Sequence, residues 1–311
     1  MGTFIAVLTY VAYIFIVVMY TVKAIQWFKM PVHLRWDLYP VIHEDKYKYG
    51  GSYYEEKDWW TKPRHKNMWR SLGYALKDNF YMGEYFKRDR GYWYVLYPWH
   101  LSFILIITFH ILCFLGGVGM YFGLAVTPDS PSSFGRLFYY IILLTGVPSF
   151  VLGTIGSIGL LFRRLSDEGL RLLATPMNFF NYGFFTLVFF SGFYAWAFVD
   201  PNFSEYLAYW KGLVTWNPIE LHGGAATHII LFMLFLIYLP FTRSFHYISR
   251  LFAYFFIRWE DEPNLKGSKL EKKIEAMLGQ RVTWAGPHIQ SGKTWAEVAT
   301  EVKFPEKKEG K

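Results

Sequence analysis

The sequence predicts an all-α membrane protein with five transmembrane helices. Its composition is 53% hydrophobic and 22% aromatic, which is too apolar for an ordinary soluble chain of 311 residues. No stretch shows the alternating pattern of a half-buried strand. Uncharged apolar runs long enough to cross a hydrocarbon core, which takes roughly 20 helical residues, occur at Gly2 to Val22, Gly91 to about Phe122, Leu137 to Phe162, Leu173 to Val199 and His222 to Thr242.

The flanking charges predict the orientation of these runs. The first run has neither a basic leader nor a resolved small-residue cleavage site, so we expect a retained helix. Lysine and arginine number 13 in Lys29 to Tyr94 and 11 beyond Phe256, and three more lie between the third and fourth runs. The other two connections carry one each. Because basic loops stay on the cytoplasmic side, the N-terminus is predicted outside and the C-terminus inside. The predicted location is the cytoplasmic (inner) membrane, which the chain crosses several times.

This pattern divides the chain into four predicted regions. Residues 1-28 form the first transmembrane helix, 29-94 a cytoplasmic loop rich in aromatic and basic residues, 95-257 a four-helix membrane region and 258-311 a cytoplasmic tail. The tail contains one predicted helix, Lys266 to Leu278, and too little apolar material for a core of its own. We expect the tail to wrap a partner protein or remain mobile.

Several function classes are disfavoured. The net charge of +8 reflects the topology and an inner-face partner, and no basic helix or stacking platform on a soluble fold suggests nucleic-acid binding. The single cysteine, Cys113, excludes an intramolecular disulfide and is too few for an iron–sulfur or zinc site. The "GPHIQSGKT" segment resembles a phosphate loop only superficially, because its glycines Gly286 and Gly292 have the wrong spacing.

Four histidines inside the apolar runs carry the chemical prediction. His100 and His110 lie ten residues apart in the second run, and His228 and His246 lie 18 apart in the fifth. The two helices run in opposite directions, with spacings of about 15 Å and about 27 Å at helical rise. Antiparallel packing therefore brings His100 towards the level of His246 near the inner face and His110 towards the level of His228 near the outer face. A mismatch of roughly 6 Å remains at each end, which helix tilt and ligand reach could absorb. Facing imidazoles at one depth match bis-histidine haem coordination, so two levels predict two haems b.

Other interpretations of the histidines remain open at this stage. Zinc or copper would need three or four ligands converging on one point. The crossings next to the histidine-bearing ones supply no carboxylate or thiol as a further ligand. A proton-coupled transporter would usually place Asp or Glu in the membrane, and the five runs contain none. A haem-free membrane anchor or scaffold would use the histidines only for hydrogen bonds between helices.

The spacings and topology resemble those of the cytochrome b gamma subunit of respiratory nitrate reductases. The resemblance covers about Val95 to Ile257 and includes "PFTRSFH", from Pro240 to His246, at the end of the last run. It implies a di-haem subunit that exchanges electrons with a membrane quinone such as menaquinone. It also implies that His100 and His246 ligate the inner haem iron, and that the other two intramembrane histidines ligate the outer one.

Two features depart from the nitrate reductase pattern. The first cytoplasmic loop is longer, and the tail is additional. The phrase "LRWDLYPVIHE", Leu34 to Glu44, is similar to the loop after helix one in the di-haem subunits of Dsr, Tmc and heterodisulfide-reductase-type redox complexes. That likeness implies a cytoplasmic iron–sulfur subunit similar to a heterodisulfide reductase as the partner, together with further complex subunits. A gamma subunit of a nitrate-reductase-type enzyme is the alternative.

Four more residues are candidates for supporting roles. Arg243 lies three residues before His246, on nearly the same face of the predicted helix. Arg164 is predicted at the same inner level, so both arginines are candidates for contact with a haem propionate. Their alternative is snorkelling towards the lipid headgroups. At the outer face, Arg136 and His222 are candidates for a quinone site, with an interfacial anchor and a residue at the start of a helix as their alternatives. The predicted function is electron transfer in a quinone-linked oxidoreductase complex, in a direction that the sequence leaves open.

Overall fold

The computed structural model describes residues 1–29, 56–63, 67–252, 264–286 and 289–301. The Leu34 to Glu44 phrase and the end of the tail lie outside these residues. Within them, regular structure is helical apart from two isolated β-bridges. The α-helices are α1 (Gly2–Phe28), α2 (Met68–Tyr81), α3 (Gly83–Arg88), α4 (Arg90–Tyr121), α5 (Ser133–Ser166), α6 (Glu168–Leu172), α7 (Pro176–Phe198), α8 (Ser204–Val214), α9 (Gly223–Tyr238), α10 (His246–Phe252), α11 (Lys269–Leu278) and α12 (Trp295–Thr300).

Among the described residues, four helices are long and apolar enough to cross a membrane. They are α1, α4, α5 and the segment Gly223–Phe241, which comprises α9 and a following 3₁₀ turn. The 32 residues of α4 and the 34 of α5 give lengths of about 50 Å, so their ends extend beyond a hydrocarbon core of about 30 Å. The prediction of an all-α membrane protein is confirmed at this level.

The predicted crossing from Leu173 to Val199 forms α7, but α7 is not among these four helices. Its 23 residues include no charged side chain, so neither its length nor its charge sets it apart. Its apolar content does, because two asparagines, two tyrosines and a tryptophan lower its mean hydropathy. Pro176 and the capping box of Thr175 with Asn178 begin the helix.

The chain divides into two compact units, Met1–Tyr20 with Leu76–Ser244, and Thr21–Ala75 with Phe245–Lys311. In the first unit α4 packs on α5, α5 on α7 and α7 on α9. Small residues permit the close approach of α4 and α5: a Cβ atom on Gly156 would lie 2.7 Å from the backbone nitrogen of Trp99. In the second unit, α11 packs against α12.

The connection from Asp200 to Leu221 contains a helix that the sequence did not indicate. Its residues Ser204–Val214 form α8, and most of that helix is buried against α4 and α1. The Tyr209 hydroxyl lies 2.6 Å from the Thr9 hydroxyl, and Tyr10 donates to the Leu213 carbonyl at 2.6 Å. An 11-residue helix is too short to span a membrane. Its sequence therefore contains no apolar run of the length that predicts a crossing, although its aromatic side chains are buried between longer helices.

The last predicted crossing is shorter than expected. The α-helix ends at Tyr238, and two 3₁₀ turns, Leu239–Phe241 and Arg243–Phe245, follow before α10 begins. Pro240 explains the end, because proline has no N–H to donate to the preceding turn. A continuous α-helical spacing from His228 to His246 was therefore wrong. In the tail, α11 begins at Lys269 instead of Lys266, because the Ser268 hydroxyl caps it by accepting from the Glu271 N–H.

Asp89 is the N-cap of helix α4. Its carboxylate accepts from the Tyr92 N–H at 2.9 Å and pairs with the Arg163 guanidinium at 3.1 Å. The backbone hydrogen bond and the arginine charge both favour the ionised form, so the pKa of Asp89 is lowered from its ordinary value of 3.8. Arg163 lies at the end of α5, so this ion pair joins two membrane helices.

This lowered pKa predicts how the stability depends on pH. An ionised Asp89 stabilises the fold above pH 3.8, and the stabilisation is lost as the pH falls through the lower folded-state pKa. Asn keeps a capping oxygen without the charge, so Asp89→Asn should lower the unfolding midpoint at neutral pH and match the parent protein in acid. Thermal unfolding across pH measures this change in the midpoint. The control is Asp129→Asn, at an exposed position in the connection between α4 and α5. An equal deficit at every pH would contradict the charge effect.

Candidate functional site

His110 is a buried imidazole on α4, with 3% of its surface exposed. Its Nδ1 lies 2.7 Å from the Ile106 carbonyl oxygen, one helical turn earlier. A carbonyl only accepts, so Nδ1 carries the proton and Nε2 carries the lone pair. The Tyr206 hydroxyl of α8 lies 2.8 Å from Nε2 and donates to it. The nitrogen suited to bind a metal is thus held by a tyrosine that the sequence did not indicate.

His228 on α9 is buried to the same extent. Its Nδ1 lies 3.0 Å from the Ser191 hydroxyl of α7, and that hydroxyl donates to the Val188 carbonyl at 2.8 Å. Ser191 therefore accepts from Nδ1–H, and the lone pair is again on Nε2. This Nε2 atom is buried without a hydrogen-bond partner. A buried unsatisfied polar atom costs about 1–3 kcal/mol, a cost that a ligand bound to the His228 Nε2 would relieve.

The structure brings His110 and His228 to one aromatic cluster. The ring of Phe232 stacks on His110 at 3.8 Å between centroids, and its centroid lies 6.2 Å from that of His228. Phe150 meets His228 edge-on at 5.2 Å. A Cβ atom on Gly192 would lie 2.8 Å from the His228 ring, so glycine is what allows α7 to pass so near.

The two helices that carry these histidines stand apart from each other. Among the described helices, α4 packs closely on α5 and α8, and α9 packs closely on α7, whereas α4 and α9 are not a closely packed pair. Aromatic side chains fill the space between them, as where Phe103 of α4 meets Phe235 of α9 at 5.9 Å. The gap between the histidine-bearing helices is therefore occupied by rotatable side chains instead of by backbone.

A small cavity of about 20 Å³ borders His228. Asp200 is on its wall, but this carboxylate is committed to α8, accepting from the Ser204 N–H at 2.8 Å and the Tyr206 N–H at 2.9 Å. The space admits about one water molecule and is far smaller than a porphyrin. The donor chemistry of His110 and His228 fits axial haem ligation, whereas the ring itself requires Tyr206, Phe232 and their neighbours to turn aside.

The other predicted pair is divided between the two units. His100 is half-buried on α4, with Nδ1 3.2 Å from the Leu96 carbonyl oxygen, so its lone pair is also on Nε2. His246 is the first residue of α10 in the second unit. The pairing of His100 with His246 stays a prediction.

The candidate propionate ligands have local roles in the structure. Arg164 donates to the Leu170 carbonyl at 2.9 Å and so closes the turn between α5 and α6. Arg243 is exposed and lies in a 3₁₀ turn. The expectation that Arg243 and His246 share a face of one α-helix was therefore wrong, because Pro240 ends the helix before either residue.

The candidate quinone residues also have local partners. The exposed guanidinium of Arg136 donates to the Ser130 carbonyl at 2.6 Å and to the Ser133 hydroxyl at 3.1 Å, which ties the start of α5 to its preceding loop. His222 is the N-cap of α9, and its backbone N–H donates to the Glu205 carboxylate. Both residues thus have the anchoring roles that were their alternatives, and their part in quinone binding stays a prediction.

Ser191, Tyr206 and Phe232 were missed by sequence reasoning. Ser191 is one small polar residue within an apolar run, and Tyr206 lies in the connection between the fourth and fifth runs. Only the spacing of His228 and Phe232, four residues apart on one helix face, was a readable signal. Within the described parts of the chain, no three His, Cys, Asp or Glu side chains form a group that could hold a metal ion. Axial haem ligation needs only two.

The fold and the site define an all-helical membrane protein whose apolar interior contains two buried histidines: the Nε2 of His228 has no hydrogen-bond partner, and the Nε2 of His110 accepts from Tyr206. Comparison with protein-family models, with curated proteins and with solved structures found no match.

Proposed function

We propose that the chain is a di-haem cytochrome b subunit of a respiratory complex, passing electrons between a membrane quinol and a cytoplasmic iron–sulfur subunit. The observation that carries the proposal is the buried, unpartnered Nε2 of His228, in the same aromatic cluster as His110. A nitrogen lone pair shielded from water, in the same aromatic cluster as a second buried histidine, has the chemistry of a haem-iron ligand.

Four histidines would hold the two groups. His110 and His228 are the proposed ligands of the outer haem, and His100 and His246 of the inner haem. Haem iron supplies reversible one-electron transfer when bound. The chain's contribution is to fix the tautomers, because Ile106 and Ser191 accept the Nδ1 protons of the outer pair. Such acceptors orient the ring and raise the basicity of the coordinating nitrogen.

The proposed topology has five spans, with the N-terminus outside and the C-terminus in the cytoplasm. Helix α7 is the proposed fourth span in chain order: its 23 residues reach about 35 Å at helical rise, and it lacks charged side chains. Its asparagines and tyrosines find partners inside the bundle, as where Tyr238 donates to Asn181 at 2.6 Å. A helix with internal polar partners crosses a membrane with a lower mean hydropathy than one that faces lipid all round.

The proposed partner is a heterodisulfide-reductase-like iron–sulfur protein that docks on the cytoplasmic loop, residues 29–94, and on the tail, residues 258–311. The basic residues of both regions support an inner-face docking surface. The proposed electron donor or acceptor in the membrane is menaquinone or a related quinone, bound towards the outer face near Arg136 and His222.

Reduced-minus-oxidised spectroscopy with haem quantitation tests the proposal. Purified chain should show a b-type spectrum and contain two haems b per polypeptide. A haem-free anchor is the competing function, and it predicts no b-type absorption at all. Preparations that remain colourless after expression with adequate haem supply would refute the proposal.

Arg136→Ala tests the quinone site separately. If its cation binds a quinone oxygen, the variant should reduce its haems more slowly with a quinol analogue while still binding both. Stopped-flow absorbance measures this rate, and Lys211→Ala, which removes the other predicted outer cation, is the matched control. Unchanged kinetics with Arg136→Ala would leave this residue as an anchor for the Ser130 loop.

A further inference from the structure

Helix α2 has its apolar side chains on the outside. Its fully buried residues are the small Ser71 and Ala75, one turn apart. Six large hydrophobic side chains of α2 are exposed instead. Four of the six lie on one face of the helix, with 80%, 44%, 48% and 48% of their surfaces accessible. They are Trp69, Leu72, Leu76 and Phe80, referred to below as the α2 stripe. A helix that packs on a protein core in water shows the opposite pattern.

The α2 stripe is continuous along the helix. At 100° per residue its four members fall within an arc of about 80° and extend over three turns. A stripe of this kind rarely faces water, because a contiguous exposed apolar surface marks a contact with lipid or with another protein. Lys77 is exposed at the edge of the stripe, where an interfacial helix typically carries a basic residue.

The end of α2 favours lipid as the occupant. Tyr81, its last residue, accepts through its carbonyl from the Trp93 indole N–H at 3.0 Å. Trp93 lies in the first turn of the membrane-spanning helix α4 and stacks on Tyr97 at 4.5 Å. Tyrosine and tryptophan at the end of a span mark the level of the lipid headgroups. The C-terminal end of α2 is thus tied to the residues that mark this level.

We propose that α2 is an interfacial membrane helix whose Trp69, Leu72, Leu76 and Phe80 insert into the boundary between lipid headgroups and acyl chains. In this arrangement the loop before α4 is anchored to the bilayer by its own helix, independently of any cofactor or partner protein. The inference does not depend on the proposed function, and it assigns to lipid a face of the loop that a docked subunit would otherwise cover.

Spin labels on single cysteines test the immersion. The native cysteine is removed with Cys113→Ala, and a nitroxide is attached in the variants Leu72→Cys and Leu76→Cys. The matched controls, Tyr74→Cys and Lys77→Cys, lie on the same helix outside the stripe. The full chain is reconstituted alone in vesicles of phosphatidylethanolamine and phosphatidylglycerol. Labels at positions 72 and 76 should be more accessible to oxygen than to a water-soluble nickel chelate, and the control labels should show the reverse.

Two outcomes would overturn the proposal. Stripe labels that the nickel chelate reaches as readily as the control labels would place the stripe in water. Stripe labels shielded from both reagents would show that protein covers the stripe.

A second measurement leaves the leucines unchanged. Lipids brominated near the headgroup should quench less total tryptophan fluorescence in Trp69→Phe than in the parent protein. Trp60→Phe, which removes another exposed tryptophan, is the control, and equal losses in both variants would also contradict insertion.

Discussion

His228→Ala should reduce the haem content of the purified protein from two haems b to one. His228 has the buried Nε2 atom without a hydrogen-bond partner, and its Nδ1 proton is already donated to Ser191. Removing the imidazole leaves His110 as a single axial donor, which is insufficient for stable bis-histidine ligation. The remaining haem should keep its own absorption band and midpoint potential, because its proposed ligands are His100 and His246.

Three comparisons make this result specific. His110→Ala should cause the same loss, and the double variant should lose no more than either single variant, because both residues serve one group. His222→Asn is the matched control, since it changes a histidine at the start of the same helix and retains a side chain that can cap it. Added imidazole should restore part of the lost haem in His228→Ala. A full complement of two haems in either alanine variant would refute the ligand assignment.

Gly156→Leu should prevent the membrane bundle from folding or destabilise it by about 3 kcal/mol or more. A Cβ atom at this position would lie 2.7 Å from the Trp99 backbone nitrogen and 2.8 Å from its Cα. Backbone atoms cannot rotate away as a side chain can, so α4 and α5 would have to separate along much of their contact. Because α4 carries His100 and His110, both haems should be lost together with the fold.

The unfolding midpoint of the detergent-solubilised protein, together with its elution volume, measures this effect. Gly183→Leu is the matched control, since Gly183 also lies within a long apolar helix, but a Cβ atom added there would meet no neighbouring atom within 4 Å. The control should remain monodisperse, with a midpoint near that of the parent. A Gly156→Leu protein as stable as the control would mean that α4 and α5 do not approach each other as described.

The positions of the apolar helices could be predicted from the sequence because they depend on local properties. Hydropathy over a window of about 20 residues reports the cost of placing that segment in lipid. The first, second and third predicted runs accordingly lie within helices α1, α4 and α5, apart from residue 122 at the end of the second. The same local reasoning identified His110 and His228 as candidates, because an imidazole in an apolar run is unusual whatever its neighbours are.

Local properties were insufficient where a segment is buried by other parts of the chain. The sequence of α8 is too short and too polar for a span, and its burial depends on packing against α4 and α1. Pro240 is visible in the sequence, but whether a helix bends or ends at proline depends on how the next residues are packed. For the same reason the distance from His228 to Arg243 and His246 could not be derived from helical rise alone.

The sequence by itself determined that this chain is a helical membrane protein with histidines in its apolar segments. Only the tertiary structure decided that Ser191 holds one ring nitrogen of His228 and that Tyr206 holds one of His110. Those contacts depend on the rotation of each helix about its axis and on the side chains that fill the space between helices. Such rotations depend on glycines such as Gly156 and Gly192, which allow close approach of a neighbouring helix. That effect exists only where a second helix packs against the glycine.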